Sequence, residues 1–287
     1  MDLRRLDLTQ LPVLHAAYLE AFSDYSVPVR PTLAQFGEML CRRGVDWPHS
    51  VGAFEGENLV GVQIIGTGEY GFEGTLSAYN LLTGVVPSAR GKQLGKALIG
   101  QALESLGASP AEQILLECVQ SNKVALDLYR DLGFQVTRSL ECLDVPGEKL
   151  VYKQIAANVS IREITSPVWV RLGDHCTWSP SWQNSNEAMR RARPKPTVLG
   201  AYRDDAIVGY AALFQESGDL AQFTVHPGKH HEGIGSALFA ACARRLIPGV
   251  NRIRIMNVPS DAEEDLDFFR ARGAELITKQ FELRRPI

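Results

Sequence analysis

The chain has 287 residues, of which 45% are hydrophobic, and its formal net charge at pH 7 is −3. This length favours two domains or one large domain, and the apolar content is sufficient for globular cores. Neither half carries the excess of Lys and Arg that nucleic-acid-binding proteins usually show, and no apolar run approaches the roughly 18 residues of a membrane-spanning helix. We therefore expect a globular protein that binds neither nucleic acid nor membranes.

The chain opens without the apolar segment of a secretory signal, and its five cysteines form no CxxC pair. Their neighbours are mostly apolar, which is typical of reduced, buried thiols. We expect a cytoplasmic location.

The first half of the chain alternates between patterns typical of strands and of helices. Thr32 is placed to begin a helix, and Gly133 to end one. Strands are predicted at 3–6, 51–54, 59–65, 77–86 and 113–119, and helices at 8–22, 32–43, 94–106 and 121–131, with a last hairpin after residue 133. This order predicts an α/β fold, in which a mixed, twisted sheet is flanked by helices around a central parallel βαβ crossover.

Gly66, Gly68 and Gly71 match the G-x-G-x-x-G pattern of dinucleotide-binding turns. That motif requires a helix to follow, and the segment 72–76 has no features of a helix start. We interpret the three glycines as a hairpin loop.

The second half of the chain repeats the first. The segment Val51 to Gly61, which begins Val-Gly-Ala-Phe and ends Val-Gly, recurs 148 residues later with Leu-Gly-Ala-Tyr and Val-Gly. Four further positions recur at a constant shift of 140 residues, namely Pro87, Gly95, Tyr129 and Gly133, as Pro227, Gly235, Phe269 and Gly273. The repeat predicts a tandem duplication, with domains at 1–156 and 157–287.

A basic turn with two glycines separates the strand predicted at 77–86 from the helix predicted at 94–106. Because a helix N-terminus carries unpaired N–H groups and a partial positive charge, such a turn is suited to a phosphorylated ligand, and a diphosphate is expected. A Walker loop is excluded, because three residues separate Gly91 from Gly95 and Lys96 is followed by Ala97. The charges of this turn could also be ordinary solvated ones.

Two segments resemble signatures of the GCN5-related N-acetyltransferase (GNAT) family. Residues 86–95, Val-Pro-x-x-Arg-Gly-Lys-x-Leu-Gly, resemble its acyl-CoA-binding motif, although Gln93 replaces the central glycine. Residues 114–134 resemble its second signature, L-E-V-x-x-x-N-x-x-A-x-x-L-Y-x-x-L-G-F. The resemblance implies two tandem GNAT-like domains and acetyl-CoA as acyl donor, without a metal. It implies that the donor is bound by Val85, Val86, Arg90, Gly91, Lys92, Gln93, Leu94, Gly95, Lys96 and Asn122.

In family members that acetylate protein N-termini, a Glu acts as base through water and a Tyr as general acid, and the matching residues here are Glu117 and Tyr129. An amine must lose a proton to attack a thioester and the departing thiolate must gain one, so acceptor and donor are needed on opposite sides of the carbonyl. We expect both side chains to face the gap between the two central strands. The alternatives are an exposed strand Glu and a core Tyr.

The first domain is expected to be active and the second degenerate. In the second copy the residues that match Arg90, Glu117 and Tyr129 are His230, Asn257 and Phe269. An amide and a phenyl ring cannot exchange the protons that the reaction requires.

Tyr25 and Trp47 lie in the helical region that covers the acceptor site in this family, and they are candidates for substrate contact. The acceptor is expected to be a primary amine, and small amines, aminoglycosides, amino acids and peptide N-termini all stay open. Two other functions stay open as well, an acyl-CoA-binding regulatory module without turnover and a protein-interaction scaffold. We expect a monomer or a homodimer.

Overall fold

The computed structural model describes residues 1–24, 30–152, 158–169, 172, 176 and 178–287. The chain forms two compact units. The first contains residues 1–137, 191–193 and 282–287, and the second contains 138–190 and 194–281. The predicted boundary between residues 156 and 157 lies within 153–157, outside the described residues, and stays a prediction.

The first unit is a mixed sheet with helices on both faces. Its strands are β1 (Asp2–Arg5), β2 (Val51–Glu55), β3 (Asn58–Tyr70), β4 (Thr75–Val85) and β5 (Gln113–Val119), adjacent in that order. Its helices are α1 (Leu11–Ala21), α2 (Leu33–Arg42), α3 (Leu94–Leu106) and α4 (Lys123–Asp131). Strands β1 to β4 pair antiparallel, whereas β4 and β5 are parallel and are connected through α3. The predicted central βαβ crossover is therefore confirmed.

Local sequence explains where several of these elements begin and end. Thr32 accepts a hydrogen bond from the Gln35 N–H at 3.3 Å, and the Gln35 side chain accepts one from the Thr32 N–H at 2.9 Å, so a capping box begins α2. Gly133 follows α4 in the left-handed conformation, with φ of 85°, which is typical of a residue that ends a helix.

The prediction of a hairpin loop at Gly66 to Gly71 is wrong for its first part. Strand β3 continues through Gly66 and Gly68 to Tyr70, and the turn to β4 begins only at Gly71, whose φ is 77°. The glycine at position 66 has a packing role instead. A Cβ atom there would lie 2.6 Å from the Arg43 carbonyl oxygen, so only glycine lets the segment after α2 approach the strand.

The second unit repeats this architecture. Its strands follow the order β6 (Gln135–Pro146), β11 (Arg252–Pro259), β10 (Asp219–Val225), β9 (Ala206–Phe214), β8 (Thr197–Arg203) and β7 (Ser160–Glu163). Its helices include α5 (Asn186–Arg191), α6 (Ile234–Ala243) and α7 (Glu263–Arg270). The last strand of the chain is β12 (Glu275–Pro286).

The strand β6 does not form the predicted closing hairpin of the first copy. It pairs antiparallel with β11 of the second unit, from Leu140 opposite Pro259 to Pro146 opposite Arg252. The first unit is completed instead by residues 282–287, at the end of β12, which follows β5 in the strand order. Within the described part of the chain, the helices are all too short or too polar to cross a membrane.

Candidate active site

The two central strands of the first unit separate before they end. The parallel pairing of β4 with β5 runs from Ser77 opposite Gln113 to Tyr79 opposite Leu115. Both strands then continue, β4 to Val85 and β5 to Val119, with no further paired residues among those described. A gap between strands leaves main-chain groups and side chains available to a ligand.

Different helices cover the two faces of this sheet. A Cβ atom at Gly61 would contact Leu94 and Leu98 of α3, whereas one at Gly84 would contact Ala21 at the end of α1. Residues directly opposite each other in an antiparallel pair point to the same face. The faces of the other β3 and β4 side chains follow by alternation along each strand.

Glu117 lies on the α1 and α2 face of the sheet. It is two residues beyond Leu115, which is opposite Tyr79, and its carboxylate accepts a hydrogen bond from the Tyr79 hydroxyl. Tyr79 is buried, and burial, followed by the charge of Glu117, raises the pKa of this phenol well above its usual value. Tyr79 therefore stays protonated and donates to the carboxylate at any working pH. Sequence analysis missed Tyr79, because an aromatic residue in a buried strand is usually a core residue.

Tyr129 approaches the same strand from the other face. It lies in α4, is 8% exposed, and packs edge-to-face on Phe134 at 5.7 Å between ring centroids. Its hydroxyl lies 3.4 Å from Asn80 Nδ2 and 3.5 Å from Thr83 Oγ1. Tyr79 and Asn80 are consecutive residues of β4, so Glu117 and Tyr129 flank one point of this strand from opposite faces.

The bulge of β4 lies at that point. The register with β3 shifts between Ile64, opposite Leu82, and Ile65, opposite Asn80, so Leu81 is the extra residue. Bulges redirect side chains and are common beside active sites. Here the bulge allows Asn80 and Thr83, three residues apart, to face the same side as Tyr129.

The backbone of the basic turn is left-handed at two positions. Gly91 and Gln93 are both left-handed, with φ of 80° and 57°, and α3 begins directly after Gln93. The first helical hydrogen bond runs from the Ala97 N–H to the Gln93 carbonyl oxygen, so the N–H groups of 94–96 precede the intrahelical ladder. Gly91, Lys92, Gln93 and Lys96 are exposed at this turn, whereas Leu94 is buried beneath it and Gly95 is partly buried.

The Arg90 side chain is directed to the end of α1. It forms a two-pronged ion pair with Asp24, at 2.6 and 2.9 Å, and its Nη2 donates to the Ala21 carbonyl oxygen at 2.9 Å. The hydrogen bond from Arg90 lowers the pKa of Asp24. Its Nε donates to the Val85 carbonyl oxygen at 3.1 Å. In this structure Arg90 therefore fastens the turn to the neighbouring helix and strand.

The remaining predicted residues have the following positions. Asn122 caps α4, because its Oδ1 accepts from the Ala125 N–H at 3.2 Å. Val86 is buried, and its N–H donates to the Val60 carbonyl oxygen at 3.0 Å. Trp47 begins a short 3-10 turn, whose His49 lies 3.0 Å from Ser105 near the C-terminal end of α3. Tyr25 lies outside the described residues.

In the second unit, the residues that match Glu117 and Tyr129 are both buried. Asn257, which matches Glu117, is fully buried and left-handed, with φ of 63°. Its Oδ1 lies 3.1 Å from Cys142 Sγ, and its Nδ2 lies 3.4 Å from Ser181 Oγ. Phe269, which matches Tyr129, packs on Phe223 at 5.4 Å between ring centroids.

Comparison with known proteins finds one family in both halves of the chain. A sequence profile of the Acetyltransferase (GNAT) family matches residues 13–134, and one described as an Acetyltransferase (GNAT) domain matches 175–282. No curated protein matches the chain in sequence.

Solved structures resemble the whole chain in fold. A tandem GNAT protein from the clavulanic acid biosynthesis pathway is 14% identical, with a TM-score of 0.75 over 99% of this chain and 98% of that one. A GCN5-related N-acetyltransferase from Sphaerobacter thermophilus is 15% identical, with a TM-score of 0.71 over 99% and 95%. One from Anabaena variabilis is 12% identical, with a TM-score of 0.63 over 99% and 72%. With two family matches in succession and a mixed sheet in each unit, the chain belongs to the GNAT acetyltransferase family and carries two GNAT domains in tandem.

Proposed function

We propose that the first unit transfers an acetyl group from acetyl-CoA to a primary amine by direct attack in a ternary complex. The observation that carries this proposal is the placement of Glu117 and Tyr129 on opposite faces of the sheet, beside the consecutive residues Tyr79 and Asn80. A proton acceptor and a proton donor are thus available on the two sides of a carbonyl group bound between β4 and β5.

Each residue then has a defined task. Glu117 accepts the proton of the attacking amine through a water molecule, and Tyr129 gives its hydroxyl proton to the sulfur of the departing thiolate. Val85, Val86 and the N–H groups of 91–96 bind the donor, with the diphosphate at the start of α3. Lys92 and Lys96 add positive charge there, and Asn122 holds the start of α4. Tyr25 and Trp47 stay proposed acceptor contacts.

The properties of Cys118 support direct attack over an acyl-cysteine intermediate. This thiol is next to Glu117 in β5, but it is buried, and burial raises its pKa to about 11. At neutral pH only about one molecule in ten thousand carries the thiolate, the form that attacks a thioester.

We propose that the second unit has no turnover of its own. Asn257 cannot act as base and Phe269 has no proton to give. The burial of Asn257 and the packing of Phe269 on Phe223 also leave little room for the reacting groups.

The test is thiol release from acetyl-CoA in the presence of small amines, an aminoglycoside, amino acids and peptide N-termini. Glu117→Gln should lower kcat at neutral pH and recover partly at high pH, where the amine is already deprotonated. Tyr129→Phe should lower kcat by at least about tenfold, within the range of a lost general acid. Phe269→Leu is the matched control in the second unit and should leave kcat nearly unchanged.

Binding of acetyl-CoA without thiol release would instead favour a regulatory module, and absence of binding would favour a scaffold. Loss of activity in Phe269→Leu together with full activity in Tyr129→Phe would assign the active site to the second unit.

A further inference from the structure

Three polar side chains of the first unit form a closed ring of hydrogen bonds next to Tyr129. Gln63 Nε2 donates to Asn80 Oδ1 at 2.9 Å, Asn80 Nδ2 donates to Thr83 Oγ1 at 2.8 Å, and Thr83 Oγ1 donates to Gln63 Oε1 at 2.7 Å. Gln63 is 1% exposed and Asn80 is 7% exposed. Their amide groups therefore have fixed orientations, because each end of each amide has a partner inside the protein.

The ring directs one group at Tyr129. Because Asn80 Oδ1 is held by Gln63, the Asn80 Nδ2 group must face the other way, towards Thr83 and the Tyr129 hydroxyl. An amide nitrogen carries two N–H groups, so one can donate to Thr83 and the other to the Tyr129 oxygen. The Tyr129 hydroxyl in turn donates to Thr83 Oγ1, at 3.5 Å.

The second unit shows what these positions contain where the acid is absent. The register of its strands places Ala211 opposite Phe223 and Leu213 opposite Leu220, as Gln63 is opposite Thr83 and Ile65 opposite Asn80. The bulge is also at the matching residue, Ala221 for Leu81. The four residues Gln63, Asn80, Thr83 and Tyr129 thus correspond to Ala211, Leu220, Phe223 and Phe269.

Comparison of the two units shows that the fold at this place does not require the polar side chains. The same strand pairing and the same bulge form in the second unit with four apolar side chains, three of them nine-tenths or more buried. This polar ring is therefore not needed to build this part of the fold, and replacing both partners of a hydrogen bond by apolar groups of similar shape can be nearly neutral or stabilising. The three polar side chains occur in the unit that has Tyr129, and apolar ones occur in the unit that has Phe269 at the corresponding position.

We infer that Gln63, Asn80 and Thr83 are positioning residues that act on the reaction through Tyr129. The inference rests on the proposed function. When Tyr129 gives its hydroxyl proton to the thiolate sulfur, the O–H bond breaks, an S–H bond forms, and the phenol oxygen is left with a negative charge. The Asn80 N–H donates to that oxygen and stabilises the charge, and solvent later returns the proton. Thr83 and Gln63 hold Asn80 in the orientation that does this.

The experiment is a double-mutant cycle on the full chain, with the best amine found in the acceptor panel. Thr83→Val, which keeps the shape and removes the hydroxyl, should lower kcat by about fivefold to tenfold while the KM for acetyl-CoA changes less than about twofold. Thr83→Ser should restore kcat. In the Tyr129→Phe background, Thr83→Val should change kcat by less than about twofold, because the group it acts through is already absent.

The matched control is Ser77→Ala, which removes the hydroxyl of a buried serine in the same strand. It should leave kcat unchanged, and thermal unfolding of each variant checks that the fold is retained. Asn80→Leu, which copies the second unit, should lower kcat at least as much as Thr83→Val. Equal fold-losses from Thr83→Val in both backgrounds would overturn the positioning role alone. A wild-type protein that releases no thiol with any amine would overturn the proposed function and this inference with it.

Discussion

The hydrogen bond from Tyr79 to Glu117 makes the ionisation of the proposed base depend on a residue that transfers no proton itself. A donor to a carboxylate stabilises its ionised form, and the raised pKa of Tyr79 keeps this donor protonated throughout the working range. Tyr79→Phe should therefore move the acidic limb of the kcat/KM profile to higher pH by about one unit, the effect of a hydrogen bond to a charged group. The measurement is the pH dependence of thiol release.

The alkaline end of the same profile is the internal control. There the carboxylate is ionised in both proteins, so Tyr79→Phe and wild type should approach the same kcat/KM. An equal loss at every pH would mean that Tyr79 supports the packing of the strand and has no influence on the ionisation of the base.

At the scale of the element, the turn before α3 and the turn before α6 have left-handed residues at the same two positions, but the glycine is at the first position in one turn and at the second in the other. Two positions in each turn are left-handed, and each turn has a glycine at one of them. In the first unit these are Gly91 and Gln93, and in the second His231 and Gly233. The left-handed conformation costs a non-glycine residue roughly 1–2 kcal/mol. Each turn therefore keeps one strained residue.

The strain can be removed or doubled by single substitutions. Gln93→Gly should raise the free energy of unfolding by up to about 1 kcal/mol and leave the KM for acetyl-CoA unchanged or lower, because the backbone amides stay in place. Gly91→Ala is the opposite change, because it adds a second non-glycine residue in the left-handed conformation. The added Cβ would meet no atom within 4 Å, so the backbone conformation alone determines the effect. It should lower the free energy of unfolding by about 1 kcal/mol. Denaturant unfolding measures both, and a raised KM in Gln93→Gly would show that the glutamine side chain contacts the donor.

Elements with local signals could be predicted from the sequence. The strand at 113–119 and the start of α2 at Thr32 agree with the structure, because an apolar run and a capping box are both contained in a few consecutive residues. The predicted end of β3 at residue 65 is too early, because Gly66 has a packing role that depends on the Arg43 carbonyl oxygen. Asn80 and Gln63 are polar residues within apolar runs, a signal that could have drawn attention to them. Their ring depends on strand register, which the sequence does not show.

At the scale of the whole molecule, the chain folds with its last residues in its first unit. Glu282 is 1% exposed, and its carboxylate accepts hydrogen bonds from the Tyr70 hydroxyl at 2.7 Å and from Thr137 Oγ1 at 2.9 Å. Arg284 pairs with it at 2.9 Å, and the Ile287 N–H donates to the Glu112 carbonyl oxygen at 3.1 Å. Apart from Arg284, which lies in β12 itself, these partners are separated from the strand by more than a hundred residues, so no local pattern in β12 predicts them.

This arrangement predicts that changes at the C-terminus impair the first unit. Glu282→Ala removes the buried carboxylate that accepts from Tyr70 and Thr137 and pairs with Arg284, and removal of one partner from a buried ionic network costs on the order of 3 kcal/mol. The matched control is Glu275→Ala at the other end of β12, where the carboxylate pairs with Lys149 at the exposed surface. Loss of this exposed ion pair should lower the free energy of unfolding by less than about 1 kcal/mol. Thermal unfolding and thiol release are measured for both. We expect Glu282→Ala, and deletion of 282–287, to lower the midpoint of unfolding and the activity together, although Glu117 and Tyr129 are unchanged. Full stability and activity after the deletion would show that the first unit does not need residues 282–287.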